Sequence, residues 1–202
     1  MSELACNEAE LAGTVLETPA YSHENHGSRF YRFYLRVPRL SGQADILPVL
    51  ISERLAPLAV PGNYLHVRGQ FRSYNNKSGQ GSRLILTLYA QSADPCGEAS
   101  ENRIRLCGTL CKPPVFRHTP LGRSICDIML AVPRKYGRAD YLPVIAWGQV
   151  ASEVRGRTVG ESLALEGRMQ SRTYSKTTEN GAEQRTAYEI SIMRLLETTS
   201  EN

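Results

Sequence analysis

Long apolar runs are missing from this 202-residue chain, and no stretch approaches the roughly 18 residues that a membrane helix needs. The first eleven residues, MSELACNEAEL, are acidic and contain no apolar segment of the kind found in signal peptides. The five cysteines are an odd number and accompany no export signal, which predicts reduced thiols. The sequence therefore favours a cytoplasmic protein without a membrane partner.

Catalytic and metal-binding patterns are also scarce. There is no GxxxxGK[ST] phosphate loop, no HExxH zinc motif and no GxSxG nucleophile motif. Cys107 and Cys111 form a CxxxC pair, but on one face of a strand they would lie about 13 Å apart, too far to share a zinc ion. The four histidines are scattered along the chain. We predict a protein that is not an enzyme and that holds no metal and no cofactor.

The most informative feature that is present is an internal repeat. Residues 7–50 align without a gap on residues 102–145, and 17 of these 44 pairs are identical. After a small length change the register resumes at Gly69 and Gly167 and at Ser73 and Ser171. Because solenoid units span only roughly 20–50 residues, this repeat predicts two copies of a whole domain. We place the domains at 1–93 and 102–197, with a linker at 94–101 and a short tail at 198–202.

The charge is distributed unevenly between the two copies. The net charge is +4, and residues 1–98 carry nine basic and nine acidic residues, whereas residues 99–202 carry fifteen and eleven. Twenty of the 24 basic residues are arginine, which favours planar contacts to phosphate and stacking on rings. Charge alone fits a solvated basic face as well as a polyanion partner.

Each copy has the pattern of short strands. Ile104, Leu106, Gly108 and Leu110 alternate with polar residues, and period two is typical of a half-buried strand. We predict strands at about 8–18, 29–38, 45–51, 63–73 and 82–92, and later at about 123–133, 139–147, 161–173 and 184–195. A short helix is expected between the third and fourth strands of each copy, at 53–56 and 149–154. This order predicts an all-β chain of two tandem OB-fold five-stranded barrels; an SH3-like barrel, which normally lacks the helix, is the alternative.

Two polar loops in each copy match the connections that hold ligand in OB barrels. The first loop spans 22–28 and matches 117–123, and the second spans 75–82 and matches 175–183. We expect both loops of each barrel to flank a ligand groove.

Aromatic and basic residues alternate in the second copy. Proteins that bind single strands without sequence preference use this mixture, because cations follow the phosphates and flat rings stack on bases. A buried role is open for Trp147, which ends an apolar run, whereas Tyr136 and Tyr174 stand beside charges and favour the surface. The candidate DNA-binding residues of this copy are Arg134, Lys135, Tyr136, Arg138, Tyr141, Trp147, Arg168, Arg172, Tyr174 and Lys176.

The motifs of the second copy resemble those of bacterial single-stranded DNA-binding protein (SSB). The likeness covers nearly all of residues 102–195 and runs through N-x-x-x-L-x-G-T from Asn102, the segment DYLPVIAWG from Asp140, and E-G-R-M-Q-S-R-x-Y from Glu166. The segment from Gly108 to Cys111 also resembles primosomal replication protein N, a relative with the same barrel. The resemblance implies sequence-independent binding and protection of single-stranded DNA in replication, recombination or repair, at the nucleoid.

The resemblance assigns the family's base-stacking positions to Tyr136, Tyr141, Trp147 and Tyr174. The matching positions of the first copy hold Ser41, Ile46 and Ser52, although Phe71, Arg72 and Tyr74 remain near its last hairpin. We therefore expect the second barrel to bind more strongly, with Tyr74 and Arg72 as the candidates in the first.

The resemblance also bears on assembly. Relatives with two barrels per chain dimerise, which implies a homodimer that presents four OB folds. The acidic, aromatic-tipped tail by which SSB recruits other enzymes is not expected here, because the sequence ends in ETTSEN. An alternative keeps the fold and changes the role, to a primosome or mobile-element accessory protein whose barrels chiefly bind other proteins.

Overall fold

Twelve strands and one α-helix lie in the part of the chain that the computed structural model describes, residues 7–75, 84–178 and 181–197. The first half contains β1 (Asn7–Val15), β2 (Ala20–Asn25), β3 (Ser28–Pro38), β4 (Ala44–Ser52), β5 (Tyr64–Asn75) and β6 (Leu84–Pro95). The second half contains β7 (Glu101–Leu110), β8 (Val115–His118), β9 (Ser124–Pro133), β10 (Ala139–Trp147), α1 (Gly148–Val154), β11 (Ser162–Thr178) and β12 (Gly181–Leu196).

Each half closes into a five-stranded barrel. In the first half β1 pairs with β3, β3 with β4, β4 with β6 in parallel, β6 with β5, and β5 with β1. The second half repeats these pairings with β7, β9, β10, β12 and β11. The fold predicted from the sequence, two tandem OB barrels, is confirmed.

The period-two pattern fills the two barrels at equivalent positions. Leu11 and Leu106, and likewise Leu35 and Leu130, are fully buried, and each pair is 95 residues apart. Burying one such side chain contributes about 1.5–3 kcal/mol, so the alternation fixes which face of each strand turns inward.

The two barrels join edge to edge. β1 and β7 pair in antiparallel fashion from Asn7 opposite Leu106 to Ala12 opposite Glu101, which makes one continuous sheet. The repeat reappears in the side-chain contacts: Asn7 exchanges two hydrogen bonds with the backbone of Phe71, and Asn102 does the same with Met169. The halves are therefore related by an approximate two-fold axis. The domain limits given above stay a prediction.

Two features of the predicted loops were wrong. Residues 22–25 and 117–118, predicted as parts of polar loops, belong to β2 and β8, which hydrogen-bond to the outer parts of β3 and β9. The region predicted as the loop 175–183 is largely the extended β11–β12 hairpin, paired out to Thr178 and Gly181. β2 is exposed along its whole length and β8 has only four residues, so neither strand gave a burial period to detect. The loop predicted at 75–82 lies, after Asn75, outside the described residues.

The helix of the second half is confirmed as α1, whereas the first half has only a 3-10 turn, Ala56–Leu58, in place of the helix predicted at 53–56. The connection between β4 and β5 is shorter than the one between β10 and β11. Leu55 and Ala59 close the barrel end that Ala151 and Val154 close in the second half.

Gly69 and Gly167 stand at equivalent bulges, where β5 and β11 pass against β6 and β12. A Cβ atom on Gly69 would lie 2.0 Å from the carbonyl oxygen of Tyr89, and one on Gly167 would lie 2.4 Å from that of Ser191. Only glycine allows the two backbones to approach this closely. These glycines permit the strand curvature that closes each barrel.

Alanine at Gly69 should therefore destabilise the fold by roughly 3 kcal/mol, because the clash is with backbone that must move. We expect the thermal midpoint to fall by about 6–12 °C. Gly97→Ala is the control, since a Cβ atom there meets nothing within 4 Å. Equal midpoints for the two variants in a thermal unfolding experiment would contradict this account of barrel closure.

Candidate nucleic-acid interface

A basic groove lies on the second barrel, between the end of β10 and the middle of β11, with β12 between these two strands. Its volume is about 410 Å³. It brings together three of the predicted residues, Trp147, Arg168 and Arg172. We call it the second groove; its lining is Arg39, Arg123, Trp147, Arg168, Gln170, Ser171, Arg172 and Ser191.

Cations in this groove lie against flat rings. The guanidinium carbon of Arg123 is 5.4 Å from the centre of the Trp147 ring, and that of Arg172 is 5.9 Å from the centre of the Tyr174 ring. Trp147 and Tyr174 are half-buried. Each ring is thus held on one side by an arginine, an arrangement that lets bases stack while phosphates meet positive charge.

Four arginines line the second groove, and one of them, Arg39, is paired with Asp45. Within residues 7–75, 84–178 and 181–197, none of Arg123, Arg168 and Arg172 makes an ion pair. A cluster of such cations beside a half-buried tryptophan is suited to a polyanion.

The surface where β1, β7 and β11 lie side by side is different, because its cations are paired. Arg103 lies 2.9 Å from Glu10, and both Arg105 and Arg194 lie close to Glu166, at 3.0 and 3.2 Å. The hydrogen bond from Arg103 lowers the pKa of Glu10, and those from Arg194 and Arg105 lower the pKa of Glu166. Charge on this face is balanced locally, so attraction for phosphates concentrates at the groove.

The turn between β9 and β10 carries three more of the predicted residues. Tyr136 is 94% exposed and adopts a left-handed backbone conformation with φ 63°. Lys135 and Arg138 are exposed on either side of it. The structure leaves this tip outside the second groove, as a separate projection of one ring and two cations.

Tyr141 and Tyr74 line a different cleft, of about 830 Å³, between the two halves. Tyr141 is 53% exposed and Tyr74 is 45% exposed, with Lys112 in the same cleft. Burial raises the pKa of the Tyr74 hydroxyl, so it stays a neutral hydrogen-bonding group. The remaining lining residues are Ser73, Asn75, Leu84, Cys111, Met129 and Ala139.

A groove of about 670 Å³ on the first barrel occupies the position equivalent to the second groove. His23 stacks on Phe30 at 5.2 Å, and Phe30 lies 5.8 Å from Tyr89, over which Arg72 is placed at 5.8 Å. We call it the first groove; its lining is Ser22, His23, Asn25, Phe30, Leu50, Arg72, Ser73, Tyr74, Thr87, Tyr89 and Arg134.

Tyr74 and Arg72, the candidates of the first copy, line the first groove, whereas its rings Phe30 and Tyr89 were not predicted from the sequence. The positions of this copy that align with Tyr136, Tyr141 and Trp147 are not aromatic. Phe71, noted as a remaining ring, is fully buried in the barrel instead. In this copy, rings that line the groove lie on β2, β3 and β6. A β2–β3 hairpin that places His23 opposite Phe30 is the feature that would have identified them.

Arg72 and Arg134 both reach Asp140, a buried carboxylate. Nη1 of Arg72 donates to it at 3.1 Å, and Nε of Arg134 lies 3.5 Å from it. Both arginines also line the first groove. The side chain of the remaining candidate, Lys176, lies outside the described part of the structure.

Known proteins that resemble this chain agree with the candidate nucleic-acid interface described above. Residues 101–196 match the family described as "Single-strand binding protein family". "Single-stranded DNA-binding protein 3" of Listeria innocua is 38% identical over 80 residues, which are 36% of this chain and 50% of that protein. The chain spans about half the length of the curated relatives it matches.

Solved structures extend the likeness to the whole chain. The wild-type single-stranded DNA binding protein from Thermus aquaticus superposes with a TM-score of 0.76 at 22% identity, over 97% of this chain and 94% of the other. At this identity the likeness concerns the fold, two tandem barrels. The N-terminal domain of PriB from Thermoanaerobacter tencongensis aligns with 46% of this chain at 39% identity and a TM-score of 0.40. In the described residues, no helix is of a length and apolar character to span a bilayer.

Proposed function

Residues 101–196 match the single-strand binding protein family, and we propose that the chain binds single-stranded DNA without sequence preference. The observation that carries the proposal is the second groove, where Trp147 lies with Arg123, Arg168 and Arg172, which make no ion pair within the described residues. The rings stack on bases of any identity and the arginines neutralise phosphates. The strand is thereby shielded during replication, recombination or repair, at the nucleoid, and no bond is made or broken.

The proposal extends to the other clefts and to assembly. The tip at Tyr136 and the cleft at Tyr141 and Tyr74 would contact the strand as it leaves the second groove. A homodimer would present four barrels, which suits a strand that passes from one barrel to the next. The size of a homodimer in solution is measurable by light scattering.

The tip provides a test that separates DNA binding from protein contacts. Tyr136→Ala and Tyr174→Ala should each weaken binding of a labelled oligothymidine by at least about fivefold, since a stacked base contributes roughly 1–3 kcal/mol. Leu121→Ala is the control for Tyr136, because Leu121 is 96% exposed but has no ring. Anisotropy at two salt concentrations measures the affinities.

Weak binding whose affinity changes neither with salt nor with either substitution would contradict the DNA-binding role. A protein-docking role would then remain to explain the exposed rings, and the same variants would be assayed against a candidate protein partner.

A further inference from the structure

Each groove contains one arginine from the opposite barrel. Arg39, in the turn after β3 of the first half, lines the second groove beside Trp147 and Arg172. Arg134, at the same place in the second half, lines the first groove beside Tyr89 and Arg72. The two arginines are 95 residues apart, so the crossing follows from the approximate two-fold relation of the barrels.

A buried aspartate holds Arg39 in this position. The Asp45 side chain is 1% exposed and accepts hydrogen bonds from Nε of Arg39 at 2.6 Å and from its Nη2. It also accepts from the amide of Ser171 at 2.9 Å and from the Ser171 hydroxyl at 3.2 Å, on β11 of the other half. Burial alone would raise the pKa of Asp45, but the hydrogen bonds from Arg39 and Ser171 outweigh it and the pKa is lowered. The carboxylate thus stays charged while it ties the turn to the groove wall.

Asp140 repeats the arrangement in the other direction. It is fully buried and accepts from the amide of Ser73 at 2.8 Å, on β5 of the first half. The Ser73 hydroxyl in turn accepts from the amide of Tyr141 at 2.8 Å. The two aspartates therefore place an arginine and anchor the opposite groove wall at the same time.

We propose that Arg39 and Arg134 bind phosphates of a strand that occupies the opposite barrel's groove, and that Asp45 and Asp140 are the positioning residues that aim them. The inference rests on the proposed single-stranded DNA binding and assigns the cations that complete each groove. It makes each groove composite, so that neither barrel has its full set of phosphate contacts without the other.

The geometry of the guanidinium fits this role. The group has five N–H donors in a rigid fork, of which Nε and Nη2 of Arg39 are directed at Asp45. The side chain is 22% exposed at the groove, which leaves part of the fork for an incoming phosphate. Since Asp45 already fixes the side chain, little rotamer freedom is lost on binding. Arg39 contributes to phosphate binding through its oriented N–H donors more than through net charge, because Asp45 balances its charge.

Trp147 makes the test selective. It is the only tryptophan of the chain and lines the second groove with Arg39. An octathymidine fits a single OB groove, whose sites span roughly 4–16 nucleotides. Titrating it against Trp147 fluorescence of the full chain therefore reports on the second groove. We expect Arg39→Ala to weaken the octathymidine affinity measured in this way about tenfold, as for the loss of a charged hydrogen bond. We expect Arg134→Ala to change that affinity by less than about twofold.

The two substitutions are matched in position and in net charge, although Asp140 keeps its hydrogen bond from Arg72 after Arg134→Ala, whereas Asp45 keeps those from Ser171 after Arg39→Ala. Thermal unfolding establishes that both variants fold. Should either variant fail to fold, Arg39→Lys and Arg134→Lys keep a cation beside the aspartate but lose the planar guanidinium. We expect Arg39→Lys to lower the octathymidine affinity about threefold and Arg134→Lys to lower it less.

Each outcome decides between the claims. Equal losses of octathymidine affinity in the two variants, or a larger loss in Arg134→Ala, would contradict the assignment of Arg39 to the second groove and would leave DNA binding itself intact. Binding of labelled octathymidine without a change in Trp147 fluorescence would overturn it as well. Absence of binding by the unaltered protein, in both fluorescence and anisotropy, would refute the proposed function itself.

Discussion

Replacing Trp147 with alanine should weaken binding of oligothymidine by about ten- to a hundredfold, because a base stacked on an aromatic ring contributes roughly 1–3 kcal/mol. The ring has Arg123 over it at 5.4 Å and the arginines of the second groove around it. Its loss removes both the stacking surface and the ring that holds Arg123. Anisotropy of a labelled oligothymidine at low salt measures the change.

Trp147→Phe is the matched control, since phenylalanine keeps a flat ring at the end of β10. We expect this variant to bind within about threefold of the unaltered protein, because stacking tolerates a change of ring. If both variants lost affinity equally, the tryptophan would act through packing of the barrel end and not through a stacked base.

The double substitution Arg168→Ala and Arg172→Ala should lower affinity about a hundredfold at low salt, since hydrogen bonds to charged groups contribute about 1.5–3 kcal/mol each. Both residues lie on β11 in the second groove, and neither makes an ion pair within the described residues. Each phosphate contact contributes about 0.7 to the salt slope of single-strand binding, so the slope should become shallower by about 1.4. Titrations at four salt concentrations give this slope.

The control for the double substitution makes the same change in net charge on β7, outside the lining of the second groove. Arg103→Ala and Arg105→Ala remove cations that Glu10 and Glu166 already neutralise. We expect their affinity to stay within about threefold and their salt slope within about 0.3 of the unaltered protein. A similar loss in both double variants would show that overall charge, and not the groove, governs binding.

The barrels could be predicted because the repeat and the strand period both depend on buried side chains. Ile104 and Leu106 alternate with Arg105 and Cys107, and the structure buries both apolar side chains. Strands without a buried face gave no such signal, so β2, which is exposed along its whole length, was predicted as loop. Residues 101–196 were recognised for a different reason, since family motifs keep their order and spacing.

The candidate site was predictable only in part. Trp147, Arg168 and Arg172 were chosen for their residue types, and the structure brings them together in one groove. Arg39 could not be chosen in that way, because it lies in the other half of the chain and reaches the groove through Asp45 and Ser171. A contact between halves depends on how the barrels join, and the period of the sequence does not encode that junction.

The most direct measurement of the central claim is a titration of the unaltered protein with oligothymidine and with a duplex of equal length, followed by Trp147 fluorescence across a salt series. We predict quenching by the single strand, much weaker quenching by the duplex, and a log affinity that falls linearly with log salt, with a slope of about −2 to −4 for three to six phosphate contacts. Fluorescence that does not respond to the single strand, or an affinity that is equal for the duplex and indifferent to salt, would contradict the account.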